Sequence, residues 1–298
     1  MSHEHLYGIV PPMVTPFTVE EAVDEEAFRF DVRHLVHDIG VHGLAVGGST
    51  GEGHTLSIDE LVTLAGAAVD EAEGKAPVIA GIIADSTRDA VAKGQAVAGL
   101  GVAALQVTPV HYLFRPDDDA MVRHFERLVQ DTGMPVLIYN VVPWTYLSPA
   151  LLARIIQSVD GVIGVKQSAG DLKLLGDLLT TVRDQARIFS AVDALLYPSF
   201  ALGAHGAIAA ILTAAPTLCM ELWEAVQSGN HTEALHLHEK LLAVWNAING
   251  DNLPATVRCC MELQDRPAGL PRAPMPPASE EQAANIAEAL RAGGVLKT

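Results

Sequence analysis

The sequence predicts a (β/α)8 TIM barrel with a C-terminal helical extension, on three observations. Short apolar runs alternate with helix-period segments eight times before residue 214, the beat that such a barrel requires. No G-x-G-x-x-G opens any of the helical segments, which argues against the doubly wound sheet, the main competitor. From about residue 215 onward the strand signal stops and only helical segments remain. The expected division is a barrel over 1–214 that carries the site and a helical extension over 215–298.

The elements follow in order. Gly8 to Phe17 reads as a strand that breaks at Pro11 and Pro12, and Phe28, Val32, Leu35 and Val36 give helical spacing up to a stop at Gly40. Gly43-Leu-Ala-Val-Gly-Gly is a short buried strand, followed by the polar loop Ser49-Thr-Gly-Glu-Gly. A helix begins near Ser57, with Glu60 completing a capping box. Pro77 to Ile83, Val102 to Thr108 and Pro135 to Asn140 are the next strands, separated by helices over Ser86–Leu100 and Pro116–Thr132. Ser148 to Val159 is helical, and the run Val162 to Val165 ends in Lys166. A helix from Asp171 to Val182, a strand from Arg187 to Val192, a helix from Asp193 to Leu202 and a strand from Gly206 to Ile211 complete the barrel. The extension reads as four helices, Leu218–Gln227, His231–Ala247, Pro254–Leu263 and Ser279–Ala292, with a proline-rich connector at Asp265–Pro277.

The totals exclude several function classes. Hydrophobic residues make up 49% of the 298, and the formal charge is −17. That charge repels the phosphates of nucleic acid and of an anionic membrane surface, so neither is an expected partner. The three cysteines, Cys219, Cys259 and Cys260, form no disulfide framework, which suits a reducing cytoplasm. The N-terminus lacks the basic and apolar regions of a signal peptide, and no apolar run approaches the roughly 20 residues of a membrane span.

In such a barrel the chemistry lies at the C-terminal strand ends and the loops after them. Those positions hold Ser49 and Thr50, Tyr112, Tyr139 and Asn140, Lys166 and Asp193. Lys166 is the one lysine that closes an apolar strand. Such a lysine either snorkels its ammonium to water or sits in a dry pocket, where desolvation favours the neutral, nucleophilic amine. Neighbouring strands run roughly 4.8 Å apart, so Tyr139 and Lys166 can share one cavity. There the phenol can move protons while an imine forms; the alternative for Tyr139 is a rim tyrosine bonded to a backbone carbonyl. The Gly48-Ser-Thr-Gly-Glu turn offers hydroxyls and backbone N–H groups suited to a carboxylate. A carboxylate site facing an imine-forming lysine implies a 2-keto acid substrate.

Gly48-Ser49-Thr50-Gly51-Glu52, Tyr139-Asn140 with Pro143, and Gly164-Val165-Lys166 resemble the N-acetylneuraminate lyase and dihydrodipicolinate synthase family, together with Thr15-Pro16-Phe17 and Pro77-Val-Ile-Ala-Gly. The resemblance runs in order along the whole barrel. It implies a class I, Schiff-base, pyruvate-handling lyase needing neither metal nor organic cofactor, assembled as a homotetramer built from dimers. It also implies roles: Lys166 as the Schiff-base lysine, Tyr139 for proton transfer, and Ser49 and Thr50 for the pyruvoyl carboxylate. Ile208 matches a position whose backbone carbonyl faces the site. Tyr112 matches a tyrosine that reaches a neighbouring subunit's site and joins a relay with Ser49.

Three departures bear on the substrate. His111 stands where the family has a companion tyrosine. The segment Tyr139 to Thr145 is one residue longer than in dihydrodipicolinate synthases and lacks the arginine that clamps the second substrate, a bidentate contact that Trp144 and Thr145 cannot replace. Asp193 follows Ala191-Val192 where the family often has glycine and acidic residues; it can serve a substrate hydroxyl or cap a helix. Trp144 either walls the acceptor side or packs on the rim. The pairs His34/His37 and His236/His238 read as solvated helix faces rather than metal ligands. The expected reaction is therefore aldol cleavage, condensation or dehydration of a 2-keto-3-deoxy acid. Dihydrodipicolinate synthase itself is the alternative, and a silent keto-acid-binding barrel the alternative of another class.

Overall fold

The structure, a computed structural model, describes residues 5–296. Eight strands run parallel: β1 (Gly8–Ile9), β2 (Leu44–Val46), β3 (Val78–Ile82), β4 (Ala104–Val107), β5 (Val136–Asn140), β6 (Val162–Gln167), β7 (Arg187–Ser190) and β8 (Gly206–Ala207). Each bonds its sequence neighbour from β2 to β8, and β8 bonds β1. The ring closes just past β1. Pro12 bridges Ala45, the Ala45 N–H donates to the Pro11 carbonyl at 3.0 Å, and the Met13 N–H donates to the Ala45 carbonyl at 2.8 Å. The prolines shorten β1, as anticipated, because neither can donate to a ladder.

Six helices alternate with the first seven strands: α1 (Glu25–Arg33), α2 (Ile58–Ala72), α3 (Thr87–Ala98), α4 (Asp118–Thr132), α5 (Pro149–Ser158) and α6 (Leu172–Val182). Their starts are fixed by side chains accepting orphan N–H groups: Asp24, Ser57, Ser86, Asp117, Ser148 and Asp171 all do so. Ser57 and Glu60 form the predicted capping box. Behind α1 the chain loosens into a π turn, His34–Ile39, and stops at Gly40 with φ 78°. His34 there lies 3.1 Å from Asp38, one turn on along the same face. Among the described residues no cluster of three metal-ligating side chains forms.

The last barrel unit differs from the expectation. β8 ends at Ala207, and α7 (Leu196–Ala201) follows a 3-10 turn at Asp193–Leu195. Asp193 caps neither of these. Its Oδ1 accepts the N–H of Ile211 at 2.7 Å, so the apolar stretch past Ala207 turns into a short helix, α8 (Ile211–Ala214), instead of continuing as strand.

β6 carries an irregularity with consequences for the site. Val136 pairs with Val162, but Leu137 pairs with Gly164, so Ile163 is an extra residue in the ladder. Gly164 admits no larger side chain, since a Cβ there would lie 2.1 Å from the Arg187 carbonyl oxygen. Past the bulge, Tyr139 stands directly opposite Lys166. Leu6, Val10, Ala45, Ile79, Ala104, Leu137, Ile163, Phe189 and Ile208 fill the inside of the ring, which is a packed core rather than a pore. A second, larger apolar layer lies between strands and helices and includes Ile138 and Val165. Strand alternation therefore turns Tyr139 and Lys166 inward, above the packed floor.

The extension comprises α9 (Pro216–Gln227), α10 (His231–Ile248), α11 (Leu253–Glu262) and α12 (Glu280–Ala292). It packs on the barrel through apolar contacts and two buried ion pairs, Arg266–Asp31 and Arg258–Glu52, each 2.7 Å apart with side chains 1–2% exposed. No helix among the described residues is long and apolar enough to cross a membrane.

Candidate active site

Lys166 is 3% exposed and Tyr139 4%, so both lie at the bottom of the cup formed by the loops. The Lys166 Nζ sits 3.8 Å above the centre of the Tyr139 ring. It makes no ion pair with a carboxylate among the described residues. The ring quadrupole is a far weaker partner for the amine than a directly bonded carboxylate would be. The Tyr139 hydroxyl spans the cup and donates to Ser49 Oγ at 3.1 Å. Lysine, phenol and serine thus form one continuous row from β6 through β5 to the loop after β2.

That loop is a stack of tight turns. The N–H groups of Gly51 and Gly53 donate to the Gly48 carbonyl at 3.1 and 3.0 Å, that of Glu52 to the Ser49 carbonyl at 3.0 Å, and that of Thr55 to the Glu52 carbonyl at 2.8 Å. The backbone N–H groups of Ser49 and Thr50 have no acceptor among the described residues. Ser49 is exposed while Thr50 is 8% exposed. Glycine is needed where the turns touch: a Cβ on Gly53 would lie 1.8 Å from the Gly47 carbonyl oxygen, and one on Gly51 2.6 Å from that of Met13. The turn therefore brings the Ser49 hydroxyl to the cup beside the Thr50 hydroxyl and two unsatisfied backbone donors, groups that suit a carboxylate.

The remaining predicted residues fall into two groups. Ile208 lies in the packed floor, and Asp193 in the turn after β7. The Ile208 side chain is part of the interior core, and its N–H donates to the Ser190 carbonyl at 2.9 Å. Asp193 is half-buried, and desolvation pushes its carboxyl up to about 6, against the pull of the Ile211 N–H and the positive charge of Lys166. Asn140, by contrast, turns outward and staples the loop after β5: its amide oxygen accepts from the Leu147 N–H at 2.8 Å, and its amide nitrogen donates to the Leu147 carbonyl at 3.1 Å.

Tyr112 is not brought to the cup of its own chain. It is 64% exposed, between Leu113 at 87% and Phe114 at 61%, on the loop after β4. Trp144, 69% exposed, ties the next loop to it by donating from Nε1 to the His111 carbonyl at 3.0 Å. His111 lies 3.6 Å from Asp85, and the Tyr112 N–H donates to the same carboxylate at 3.2 Å. These four large side chains make one exposed apolar ledge at the rim. Trp144 is thus a rim residue linking two loops.

Two features escape a reading of the sequence. Gln106 and Thr108 on and just after β4 are 0% and 2% exposed, and neither the Gln106 carboxamide nor the Thr108 hydroxyl finds a partner. The alternation of β4 turns both inward, and the Gln106 amide lies beside Gly48, 3.5 Å from where a Cβ would stand. The other feature is Glu52. Its carboxylate points out of the cup into the extension, a destination that nothing in the local sequence marks.

The sequence matches the dihydrodipicolinate synthetase family over residues 5–293. It is 32% identical over 292 residues to 4-hydroxy-tetrahydrodipicolinate synthase of Methanopyrus kandleri, an alignment covering 97% of each chain. Among solved structures, N-acetylneuraminate lyase from Fusobacterium nucleatum superposes with a TM-score of 0.89 at 26% identity, covering 98% of this chain and 100% of that one. A putative dihydrodipicolinate synthetase from Pseudomonas aeruginosa gives 0.91 at 28% identity, covering 97% and 99%. With a barrel, a cup and a full-length match of this kind, the chain belongs to the dihydrodipicolinate synthetase family.

Proposed function

We propose that the protein is a class I lyase that handles the pyruvoyl end of a 2-keto-3-deoxy acid through an imine at Lys166. The observation that carries this reading is the row of Lys166 Nζ over the Tyr139 ring with the Tyr139 hydroxyl bonded to Ser49. The neutral amine adds to the ketone, giving a carbinolamine. Tyr139 protonates the departing hydroxyl, which leaves as water, and the iminium then accepts the electron pair of a bond broken at the position β to its carbon. The same sequence reversed is condensation; in dehydration the iminium instead takes the electron pair of the α C–H bond as its proton is removed, and the resulting enamine expels the β hydroxyl as water. Ser49 and Thr50 hold the carboxylate and Ile208 lines the floor. Asp193 orients the loop after β8 and meets a substrate hydroxyl. The barrel, 1–214, holds every one of these groups, and 215–298 braces it.

The exposed Tyr112–Leu113–Phe114–Trp144 ledge supports pairing of two chains at the rim, with Tyr112 delivered to the partner's Ser49 and two such pairs forming a tetramer. The charge of −17 and the absence of a disulfide framework suit work in the cytoplasm.

The decisive test is incubation with pyruvate and borohydride, followed by peptide mass spectrometry. A reduced pyruvyl adduct on Lys166, lost in Lys166→Met, is the expected result; binding of pyruvate without any adduct points instead to a silent binding barrel. Condensation of pyruvate with aspartate semialdehyde is a second reading, favoured by the names of relatives such as that of Methanopyrus kandleri. The absence of an arginine in Tyr139–Thr145 weighs against it. Turnover of that pair at rates above those with 2-keto-3-deoxy acids decides for it.

A further inference from the structure

Two buried ion pairs join the extension to the barrel, and they do different things. Arg266 donates from Nε to Asp31 Oδ1 on α1 at 2.8 Å, with its Nη2 2.7 Å from the same oxygen, and its Nη1 donates to the Thr213 carbonyl at 2.7 Å. Those partners belong to α1 and α8. Arg258, on α11, instead reaches the loop after β2. Its Nη2 lies 2.7 Å from Glu52 Oε1 and also donates to the Thr15 carbonyl at 2.5 Å. Thr15 in turn donates from Oγ1 to the Gly51 carbonyl at 2.7 Å. One guanidinium thereby holds the turn from two sides.

Glu52 is poorly suited to its backbone. Its φ is 53°, in the left-handed region that a side chain normally avoids, at a cost of roughly 1–3 kcal/mol that persists only where the surroundings enforce it. Its own N–H closes on the Ser49 carbonyl, so the position of Glu52 sets that of Ser49 through one hydrogen bond. The second carboxylate oxygen accepts the Arg272 N–H at 3.1 Å. The Arg272 guanidinium then donates to the Thr55 carbonyl at 2.9 Å and pairs with Glu60 at 2.6 Å. The turn 48–55 is therefore tied to the extension at Glu52 and at Thr55.

We propose that Arg258 is a positioning residue: acting through the Glu52 carboxylate, it fixes the Ser49–Thr50 turn in the conformation that receives the keto acid's carboxylate. This rests on the lyase reading above. The extension, on this view, sets substrate affinity at a turn it does not itself line. Arg258 touches no substrate, so its loss weakens capture of the keto acid while the lysine and phenol stay in place.

The test compares Arg258→Lys with Arg266→Lys in the full chain, two equally buried pairs of which only one reaches the turn. Melting temperature is recorded for both, and borohydride trapping of pyruvate on Lys166 is followed against pyruvate concentration. Expected is a rise of tenfold or more in the half-saturating pyruvate concentration for Arg258→Lys, a near wild-type trapping rate at saturation, and neither change for Arg266→Lys. Arg258→Met then exceeds the lysine variant. If Arg258→Lys does not fold, Glu52→Gln is read in the same way, since it keeps an acceptor for the Arg272 N–H and loses only the charge. Equal half-saturation for the Arg258 and Arg266 variants overturns the positioning role and leaves the lyase reading intact. A wild-type protein that traps no adduct overturns the lyase reading itself and this inference with it.

Discussion

Replacing Tyr139 by phenylalanine separates the two tasks assigned to that residue. The ring stays, and with it the 3.8 Å seat of the Lys166 Nζ and the packing of a side chain only 4% exposed. What goes is one hydroxyl and its 3.1 Å bond to Ser49. A single neutral hydrogen bond contributes about 1 kcal/mol net to stability, so the melting temperature should move by a few degrees at most. The proton-transfer role is worth more: a positioned general acid or base contributes about 10²–10⁴ in rate, or about 3–5 kcal/mol of barrier. Tyr139→Phe should therefore fold normally and form the borohydride-trapped pyruvate adduct at least a hundredfold more slowly. Tyr139→Ala, which also removes the ring, should lose about 3–5 kcal/mol of stability as well. Stopped-flow mixing with borohydride quench, read by mass spectrometry, supplies the rates. An adduct that forms in Tyr139→Phe at the wild-type rate refutes the proton-transfer role and leaves Tyr139 only a packing part.

Further outcomes follow from the same geometry. Burial holds the Asp193 carboxyl up at about 6 from an ordinary 3.8, so its contribution is intact below pH 4 and is lost as pH rises through 6; the shift corresponds to about 3 kcal/mol. Burial also drives His124 down to about 4 from 6.5, so its contribution is present above pH 6.5 and disappears as pH falls toward 4, by a similar amount. The two slopes oppose each other between pH 4 and 6.5. Asp193→Asn should thus make stability rise with pH across that window and His124→Gln should make it fall, both read by thermal melts; a flat profile in either variant contradicts the assignment. Gly53→Ala puts a methyl group 1.8 Å from the Gly47 carbonyl oxygen, so it should displace the turn and abolish pyruvate trapping, and retained trapping would show the turn to be pliable.

Much of the architecture could be read ahead of the structure because it is local. The beat of apolar runs and caps, such as Ser57 with Glu60, depends on residues within a few positions of one another. Lys166 was legible for the same reason, as the polar end of an apolar run. The stretch after Gly206 was misread as a longer strand because its residues are apolar and small, and the carboxylate that turns it into a helix belongs to Asp193, in a different loop. Glu52 and Arg258 were invisible as partners because only folding brings the loop after β2 against α11. Gln106 gave no signal either: a glutamine in a strand ordinarily faces water, and here the curvature of the ring buries it.

The extra residue at Ile163 has a consequence for how this chemistry can be inherited. Had the ladder run on evenly from Val136 and Val162, Val165 would stand across from the phenol, and the amine would face the helices, beside Asn140. Parity decides which layer a strand residue enters, so a chain lengthened by one residue between Gly164 and Val165 keeps its fold yet shows a valine to any ketone that arrives. Conservative changes in β6 away from Gly164 and Lys166 can be tolerated, whereas a single-codon insertion between Gly164 and Val165 is enough to silence the protein.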